Sequence, residues 1–369
     1  MMKRILLSAV LMSFAAAASA QNYYVDAQNP DILRFGDYRD PVRKELVMPV
    51  KVGGYNVYKS DLHTHTVYSD GSVTPQFRIK EAWLEGLDVV AVTEHIEYRP
   101  FEKEFGEYVN ADLSKDRDLN AAVRLAQKEG AYWGIFIIPG TEITRDGTSV
   151  GHFNALFTQD NNKIYDEDPV QAIRNAKAQG ALVMHNHPGW WRTSIDYTET
   201  ERTAYSEGLI DGVEVMNFNE FYPGIIDRVQ ERGLFIAANT DIHASSAEDF
   251  NSYGYMRPMT LIFATEKTER GLREALEAGR TLAFGFNTLC GSEDLLSDFF
   301  NASVVVRPVP DHGYMLTNMS SVPYVLQFGE SNPVHLDPFT TIRIGDALQC
   351  KVLNMFCGKD EHPLVDLYF

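Results

Sequence analysis

The sequence predicts an α/β fold in which parallel strands close into a barrel, followed by a small antiparallel β module. Short apolar strands alternate with amphipathic helices from about residue 57 to residue 286. Repeated β-α units with buried strands are typical of a parallel sheet. At least six such units follow one another, which favours a closed barrel over an open sheet. After about residue 300 the helical period disappears, and strand-like segments alternate with Gly, Pro, Asn and Asp turns.

Apolar runs and helix-capping residues predict the individual elements. One helix begins at Thr74-Pro75 and another at Asp168-Pro169, because Thr and Asp are good N-caps and Pro fits the first turn. We expect strands at 57–65, 88–96, 133–138, 151–157, 181–184, 212–218, 234–240 and 281–286, and helices at 74–87, 117–130, 168–180, 199–208, 220–232 and 268–278. In the C-terminal part, strands are expected at 304–306, 323–328 and 340–344.

The N-terminal residues have the pattern of a secretory signal peptide. Lys3 and Arg4 form a basic start, 5–18 is apolar, and Ala18-Ser19-Ala20 is a cleavage site. The apolar stretch is too short to span a membrane, so we expect export and no stable membrane insertion. The predicted domain organisation is a signal peptide at 1–20, an N-terminal extension at 21–56, the barrel at 57–300 and the β module at 301–369.

Composition excludes some functions. The chain has 51 Asp and Glu against 33 Lys and Arg, for a formal charge of -18. We therefore expect no polymeric nucleic acid as a partner, because nothing supplies the positive charge that such binding needs. Three cysteines are too few for a disulfide framework. Cys350 and Cys357 could pair, and Cys290 is expected to be a buried thiol.

Histidines and carboxylates stand at the ends of the predicted strands. Because the carboxyl ends of the strands in a parallel barrel meet at one face, these residues are expected to lie together. The residues at or near these ends are His63, His65, Asp70, His95, Glu142, His152, His185, His187, Asp241 and His243. A single histidine is usually a structural residue. Five successive strand ends that each carry His, Glu or an Asp-x-His motif, however, predict a metal site with several ions. A set rich in imidazole suits zinc, manganese or iron.

Residues two apart in a strand face the same way. This rule predicts three same-facing pairs, which are His63 with His65, His185 with His187, and Asp241 with His243.

These motifs resemble those of the PHP (polymerase and histidinol phosphatase) superfamily, in the same order. Asp61-Leu62-His63-Thr64-His65-Thr66-Val67-Tyr68-Ser69-Asp70-Gly71 is similar to the opening motif of that family, and Val92-Thr93-Glu94-His95 and Gly140-Thr141-Glu142 are similar to the next two. His187-Pro188 and Asp241-Ile242-His243 are similar to its later motifs. With the signal peptide, Glu97-Tyr98-Arg99-Pro100 and the β tail, the chain resembles exported PHP-type phosphodiesterases of Gram-negative bacteria, which implies a periplasmic location.

The resemblance implies a distorted (β/α)7-type barrel that holds two or three divalent ions (Mn, Zn or Fe). The ligand sets it implies are His63, His65, Glu142 and Asp241 for one metal, Glu142, His152 and His187 for a second, and Asp70, His95 and His243 for a third. Glu94 stands where the family usually has Asp and is not expected to be a ligand. His185 is an additional histidine, expected behind a ligand or facing the substrate, and we place it with Glu142 and Asp241 among the expected catalytic residues.

The resemblance also implies the reaction, which is attack of a metal-bridging hydroxide on phosphorus. Arg99, Arg145 and Arg192 follow strand ends, and we expect Arg99 and Arg192 to hold the phosphate. Trp190 and the residues after the 212–218 strand are expected either to form an aromatic lip for the substrate or to pack against the β module.

The predicted function is a secreted metal-dependent phosphoesterase that cleaves small phosphodiesters. A phosphomonoesterase, of the histidinol-phosphatase or nucleotide-phosphatase type, could use the same site. Few basic residues follow the strands, which favours a diester over a monoester dianion. A non-catalytic exported protein that binds metal or carbohydrate is a third candidate. A nuclease for long polymers is a fourth, which the negative charge disfavours.

Overall fold

The computed structural model describes residues 41–101, 118–143, 149–250, 256–310 and 312–368. Nearer the N-terminus it describes residues 24–26, 31 and 33–35. The predicted signal peptide and Arg145 lie outside the described residues. The chain forms two compact units, Met1–Val42 and Arg43–Phe369. In the first, β1 (Tyr24–Asp26) pairs antiparallel with β2 (Leu33–Phe35). No helix in the described part of the chain is long and apolar enough to cross a membrane.

The second unit contains most of the regular structure. Its strands up to residue 300 are β3 Lys51–Val52, β4 Tyr55–Asp61, β5 Val89–Val92, β6 Phe136–Ile143, β7 His152–Leu156, β8 Leu182–Asn186, β9 Gly212–Asn217, β10 Glu220–Phe221, β11 Phe235–Asn239, β12 Met259–Ala264, β13 Thr281–Gly285 and β14 Thr288–Cys290. The later strands are β15 Val304–Pro308, β16 Tyr314–Asn318, β17 Tyr324–Gln327, β18 Val334–Leu336, β19 Thr341–Ile344, β20 Gln349–Val352, β21 Met355–Phe356 and β22 Leu364–Asp366. The helices are α1 Pro75–Leu84, α2 Ala121–Trp133, α3 Pro169–Ala178, α4 Glu199–Ser206, α5 Pro223–Arg232, α6 Ser246–Asp249, α7 Glu269–Glu277 and α8 Glu293–Ser303, with a 3-10 turn at Asn161–Lys163.

A large curved sheet forms the barrel. Its strands lie in the order β10-β9-β8-β7-β6-β5-β4-β12-β13-β14-β21, and β11 and β3 pair with β9 and β4. The hydroxyls of Thr260 and Thr281 bond to the backbone of β11 and so close the barrel. Beyond the strand ends, the His65 amide donates to the Ile242 carbonyl at 3.1 Å. The mixed α/β fold with a distorted barrel confirms the predicted fold class.

The sheet is mixed, however, and not parallel throughout as expected. β7 runs antiparallel to both β6 and β8, and β12 and β13 are also antiparallel to their neighbours. A parallel connection needs a dozen or more residues, and only 144–151 separate β6 from β7. The reversal places the first residue of β7, His152, near the carboxyl end of β6.

The predicted end of the second helix at Gly130 is wrong. This helix, α2, continues through Trp133 and ends at Gly134, whose φ of 75° is left-handed. A Cβ at position 130 would lie 2.7 Å from the Ile135 carbonyl and from the Ile137 side chain. Gly130 therefore allows the helix to pack closely on β6, and the true stop signal lies four residues later.

The C-terminal strands form two antiparallel sheets, β15-β16-β19 and β18-β17-β20-β22, which confirms the predicted β module. Helix α8, which the sequence analysis did not predict, crosses the proposed domain boundary at residue 300. Phe299 packs against Phe263 of the barrel, and Phe300 packs against Tyr324 of the module. The two parts therefore share apolar packing through this helix, and the division at residue 300 stays a prediction.

The three cysteines are buried and unbonded. Burial raises the pKa of the Cys350 thiol to about 12 and that of Cys357 to about 11. Cys290 is the buried thiol expected from the sequence.

Candidate metal centre

Side chains from seven strand ends or loops meet at one end of the barrel. His63 and His65 follow β4, His95 follows β5, and Glu142 lies near the end of β6. The remaining members are His152 at the start of β7, His187 after β8, Asp241 and His243 after β11, and Asp70 in the loop after His65. The structure therefore brings together all nine residues that the sequence analysis proposed as metal ligands.

Glu142 lies at the centre of this cluster and is fully buried. Its carboxylate oxygens lie within 3.7 Å of five imidazoles, with distances of 3.5 Å to His63 Nε2, 3.5 Å to His65 Nε2, 2.7 Å to His95 Nδ1, 3.3 Å to His152 Nδ1 and 3.7 Å to His187 Nε2. A carboxylate in this position can be shared by more than one ion.

Asp241 contacts the imidazoles of the first motif. Its Oδ1 lies 3.1 Å from His63 Nε2 and 3.0 Å from His65 Nε2. Its Oδ2 lies 3.7 Å from His187 Nε2. Asp241 therefore brings the β4, β8 and β11 ends together.

Asp70 forms a second centre of contacts near the solvent. Its Oδ1 lies 3.1 Å from His243 Nε2, 3.4 Å from His95 Nε2 and 3.9 Å from His65 Nδ1. The four residues offer ligand atoms that all lie within 4.8 Å of one another. The same is true of two further groups, which are His63 with His65 and Asp241, and His63 with Glu142 and His187.

Several buried polar atoms of the cluster form no well-aligned hydrogen bond among the described residues, although oppositely charged groups lie 2.7 to 3.1 Å away. They are His63 Nε2, His65 Nε2, Asp70 Oδ1 and Glu142 Oε2. Buried polar atoms are normally satisfied by aligned hydrogen bonds, so this set calls for another partner. Divalent metal ions would be such a partner, because imidazole nitrogens and carboxylate oxygens are their ligands. The residues therefore fit divalent metal binding.

The electrostatics of the cluster favour cations. Burial raises the pKa of Glu142, but His95 and His63 oppose it, and the net pKa lies well below the ordinary value. Burial likewise raises the pKa of Asp70, but hydrogen bonds from His243 and His95 outweigh burial, and the net pKa lies below the ordinary value. Burial, together with His243 and His95, lowers the pKa of His65 to about 3. Ionised carboxylates and a neutral His65 are the states that metal ligands require. At His95 burial lowers the pKa, but the carboxylates of Glu142 and Asp70 outweigh burial and raise the pKa to about 10, so this imidazole must release a proton before it can bind a metal.

Glu214 holds the ligands from behind and was missed in the sequence analysis. Its Oε1 lies 2.9 Å from His63 Nδ1, and its Oε2 accepts from the His187 amide at 2.8 Å. This contact turns Nε2 of His63 toward Glu142 and Asp241, as carboxylate partners of metal-bound histidines do. The available signal was a charged residue in an apolar strand, Val213-Glu214-Val215.

Arg78 ties two of the ligand-bearing segments together. Its guanidinium is buried and donates to the carbonyls of His65 at 3.1 Å and of Ile242 and His243 at 3.2 Å. Glu81 pairs with it at 2.6 Å. A guanidinium on α1 thus fixes the β4 and β11 ends relative to each other, which no local sequence pattern indicated.

Glu94 anchors the loop that carries Asp70. Its carboxylate accepts from the Thr66 amide at 3.1 Å and from the Ser69 hydroxyl at 2.5 Å. These two bonds go to Oε2, and the Thr66 hydroxyl donates to Oε1. Because both oxygens of Glu94 are occupied in this way, Glu94 acts as a loop anchor.

The predicted same-facing pair of His185 and His187 is wrong. β8 ends at Asn186, and His187 has a φ of 25°, so strand alternation does not extend to it. His185 instead packs toward α4, where Nε2 lies 3.0 Å from Glu201 Oε1 and Nδ1 lies 3.1 Å from the Tyr205 hydroxyl. The structure does not bring His185 into the cluster, so its expected catalytic role has no structural support.

Arg192 belongs to the same buried network as His185. Its guanidinium binds both oxygens of Glu201, at 2.6 and 3.1 Å, and its side chain is 9% exposed. The Arg192 guanidinium is thus buried and already paired with Glu201. The expected phosphate contact by Arg192 therefore has no structural support. Arg99 lies near Tyr68, where its charge opposes the burial that raises the Tyr68 pKa; its substrate role stays a prediction.

A cleft of about 360 Å³ adjoins the cluster. Its lining residues are Trp190, Asn217, Phe218, Asn219, Glu220, Asp241, His243, Ala244 and Asp249. The Trp190 ring lies 5.4 Å from the ring of His152 and 5.2 Å from that of His187. Of the three expected substrate-binding residues, Trp190 is the one that the structure brings to this cleft.

The two neighbouring histidines give a paired test. We expect His187→Ala to remove about one bound metal ion per protein and to lower activity by about 100-fold or more, since Nε2 of His187 faces Glu142 and Asp241. The matched His185→Ala change should leave the metal content unchanged and chiefly lower the melting temperature, because it removes buried contacts to Glu201 and Tyr205. Metal analysis and thermal unfolding of both variants check this, and the reverse order of metal loss would contradict the ligand choice.

Comparison with known proteins supplies the family. The fold and the clustered side chains fit a barrel that binds divalent metal ions. No family model matches the sequence. A solved structure from Bacteroides vulgatus, described as a two-domain protein containing a predicted PHP-like metal-dependent phosphoesterase, is 32% identical and superposes with a TM-score of 0.80. The match covers 90% of this chain and 100% of that chain. The chain therefore belongs to the PHP superfamily of metallohydrolases, which confirms the resemblance seen in the sequence.

Two more distant similarities were found. An uncharacterised protein of Methanocaldococcus jannaschii is 25% identical over 183 residues, which are 48% of this chain and 65% of that protein. The chain thus spans slightly less than two thirds of the length of this curated relative. A lesion-specific endonuclease from Pyrococcus furiosus is 16% identical, with a TM-score of 0.40 over 64% of this chain and 59% of that chain. Similarity at that level says nothing about the substrate.

Proposed function

We propose that this protein is an exported, periplasmic phosphoesterase that hydrolyses small phosphodiesters at a centre of three divalent metal ions. The observation that carries the proposal is the position of Glu142, a buried carboxylate within 3.7 Å of five imidazoles. Membership of the PHP superfamily, whose Bacteroides vulgatus relative is described as a metal-dependent phosphoesterase, supports a phosphate ester as the substrate.

The contacts support three ligand sets. The proposed sets are His63, His65, Glu142 and Asp241; Glu142, His152 and His187; and Asp70, His95 and His243. His65 touches both Asp241 and Asp70, and we assign it to the first set because its Nε2 lies 3.0 Å from Asp241 Oδ1, whereas its Nδ1 lies 3.9 Å from Asp70. Bound there, divalent ions would activate water at neutral pH and stabilise the negative charge that develops on phosphoryl oxygens.

The residues of the chain hold and orient this chemistry. Glu142 belongs to two of the ligand sets and Asp241 to one, so Glu142 would be the shared ligand and Asp241 would complete the first set. Glu214 orients His63 through Nδ1 and holds the His187 backbone. Trp190 closes the cleft beside His152 and His187, where it can position a substituent of the ester and exclude water.

The charge of the cleft supports a diester. Among the described residues that line it, none is Lys or Arg, while Glu220, Asp241 and Asp249 are acidic. A monoester carries two negative charges near neutral pH and gains more from cationic side chains than a singly charged diester does. The lining therefore disfavours the monoester more strongly.

The test compares bis(p-nitrophenyl) phosphate with p-nitrophenyl phosphate. Protein without its signal peptide is freed of metal with a chelator and reloaded with manganese, zinc or iron in turn. We expect metal-dependent cleavage, with kcat/KM at least about tenfold higher for the diester, a difference of about 1.4 kcal/mol in transition-state binding. Faster cleavage of the monoester would replace the proposal with a phosphatase, and no cleavage of either ester by the metal-loaded protein would contradict it.

A further inference from the structure

The cleft beside the metal centre is lined by acidic and aromatic side chains. Besides Asp241 and His243, its described lining consists of two carboxylates, two aromatic rings, two amides and Ala244. The cleft opens onto the metal cluster through Asp241 and His243, which belong to both, so a substituent of a phosphate ester held at the cluster would lie in it.

Glu220 and Asp249 are each held by one oxygen. Tyr222 donates its hydroxyl to Oε2 of Glu220, and the Ala244 amide donates to Oδ2 of Asp249 at 3.3 Å. Among the described residues, no hydrogen bond or ion pair engages the other oxygen of either carboxylate. Two fixed carboxylates thus line a partly buried cleft, and neither forms an ion pair with a described Lys or Arg, although the charges of Arg78 and His243 act on Asp249 from nearby.

Two aromatic side chains lie in the same lining. Trp190 belongs to the loop after β8, and Phe218 follows β9. Phe218 is braced edge-on by Phe250 at 5.4 Å, and Trp190 is braced by Trp191 at 5.1 Å. Aromatic faces and carboxylates attract the same class of ligand, an organic cation, the first through the ring quadrupole and the second through charge.

We propose that the natural substrate is a phosphodiester in which one alcohol carries an ammonium group, and that Glu220, Asp249, Trp190 and Phe218 bind this group. The inference rests on the proposed phosphodiesterase function. The phosphate lies at the metal cluster, and the ammonium group lies in the adjoining cleft.

The carboxylates of the cleft favour a cation over a neutral sugar. A polyol would leave the charges of Glu220 and Asp249 uncompensated, which is costly away from bulk water. An ammonium group compensates both.

The test uses two esters that differ only in charge. p-Nitrophenyl phosphorylcholine carries a quaternary ammonium group, and 3,3-dimethylbutyl p-nitrophenyl phosphate replaces that nitrogen with carbon. With metal-loaded protein we expect kcat/KM to be about tenfold or more higher for the cationic ester, as expected for a partly desolvated cation between rings and carboxylates. A ratio near one or below would overturn the inference.

Substitutions in the cleft test where the ammonium group binds. Glu220→Gln and Asp249→Asn should each reduce this preference at least about threefold, through a lower kcat/KM for the cationic ester. Glu231→Gln, on the exposed face of α5, serves as the matched control and should keep the full preference. A preference that survives both cleft substitutions would overturn the assignment of the binding site.

Bis(p-nitrophenyl) phosphate separates the two possible failures. If the metal-loaded protein cleaves it but shows no preference for the cationic ester, the inference about the substrate fails and the phosphodiesterase function stands. If it cleaves none of the three diesters, the proposed function itself fails.

Discussion

Replacing Glu142 with Gln is expected to abolish phosphodiester hydrolysis while the protein remains folded. The amide has the shape of the carboxylate but lacks its charge, and it cannot serve two ions as a shared ligand. We expect kcat to fall by about 10³-fold or more, since a lost metal removes several kcal/mol of transition-state stabilisation. Bound metal per protein should fall as well, and both quantities are measured on the reloaded enzyme.

The hydrogen bonds of Glu142 indicate that the Glu142→Gln variant will fold. The backbone of Glu142 bonds to Glu94 and Ile96 at 2.9 Å, and these bonds do not involve the side chain. Asn186 donates to Oε1 of Glu142 at 2.8 Å, and the carbonyl oxygen of Gln can accept the same bond. Circular dichroism should therefore match the unmodified protein. Glu277→Gln on exposed α7 is the control, and full activity of Glu142→Gln would contradict a bridging role.

Asp241→Asn is expected to have a comparable effect on activity. Asp241 Oδ1 lies 3.1 Å from His63 Nε2 and 3.0 Å from His65 Nε2, where a carboxylate completes the first ligand set. A neutral amide is a poor ligand for the same ion, so we expect kcat/KM to fall by about 10³-fold with a reduced metal content.

The backbone at this position makes Asn the informative replacement. Asp241 has a φ of 52°, and Asn is one of the few residues that adopt this conformation readily. Asp241→Ala would add roughly 1–2 kcal/mol of backbone strain to the loss of the ligand. Thermal unfolding without metal should therefore show Asp241→Asn more stable than Asp241→Ala. Equal activity of Asp241→Asn and the unmodified enzyme would exclude Asp241 as a ligand.

Most of the proposed metal ligands could be predicted from the sequence because they lie at or just after the end of an apolar strand, in short motifs. His63-Thr64-His65 and Asp241-Ile242-His243 lie at strand ends that barrel closure brings together. For His152 the argument from parallel strands fails, because the first residue of a parallel strand would lie at the opposite end of the barrel. β7 runs antiparallel to its neighbours, and this reversal brings His152 to within 3.3 Å of Glu142.

The residues that support the ligands could not be found in the same way. Glu214 and Arg78 act through contacts 151 and 13 residues away in sequence, to His63 and His65 respectively. Such partners depend on tertiary packing, and a lone Glu in a strand or an Arg on a helix has no distinctive local pattern. His185 illustrates the opposite error, because the alternation rule holds only as far as the strand extends, and β8 ends one residue after His185.

The most direct test of the central claim is the location of metal ions by anomalous diffraction from crystals of protein reloaded with manganese or zinc. We expect three anomalous peaks, each between the members of one proposed ligand set, with Glu142 shared by two of them. Peaks elsewhere on the protein, or an empty cluster in crystals of active, metal-loaded enzyme, would contradict the assignment of this cluster as the catalytic metal centre.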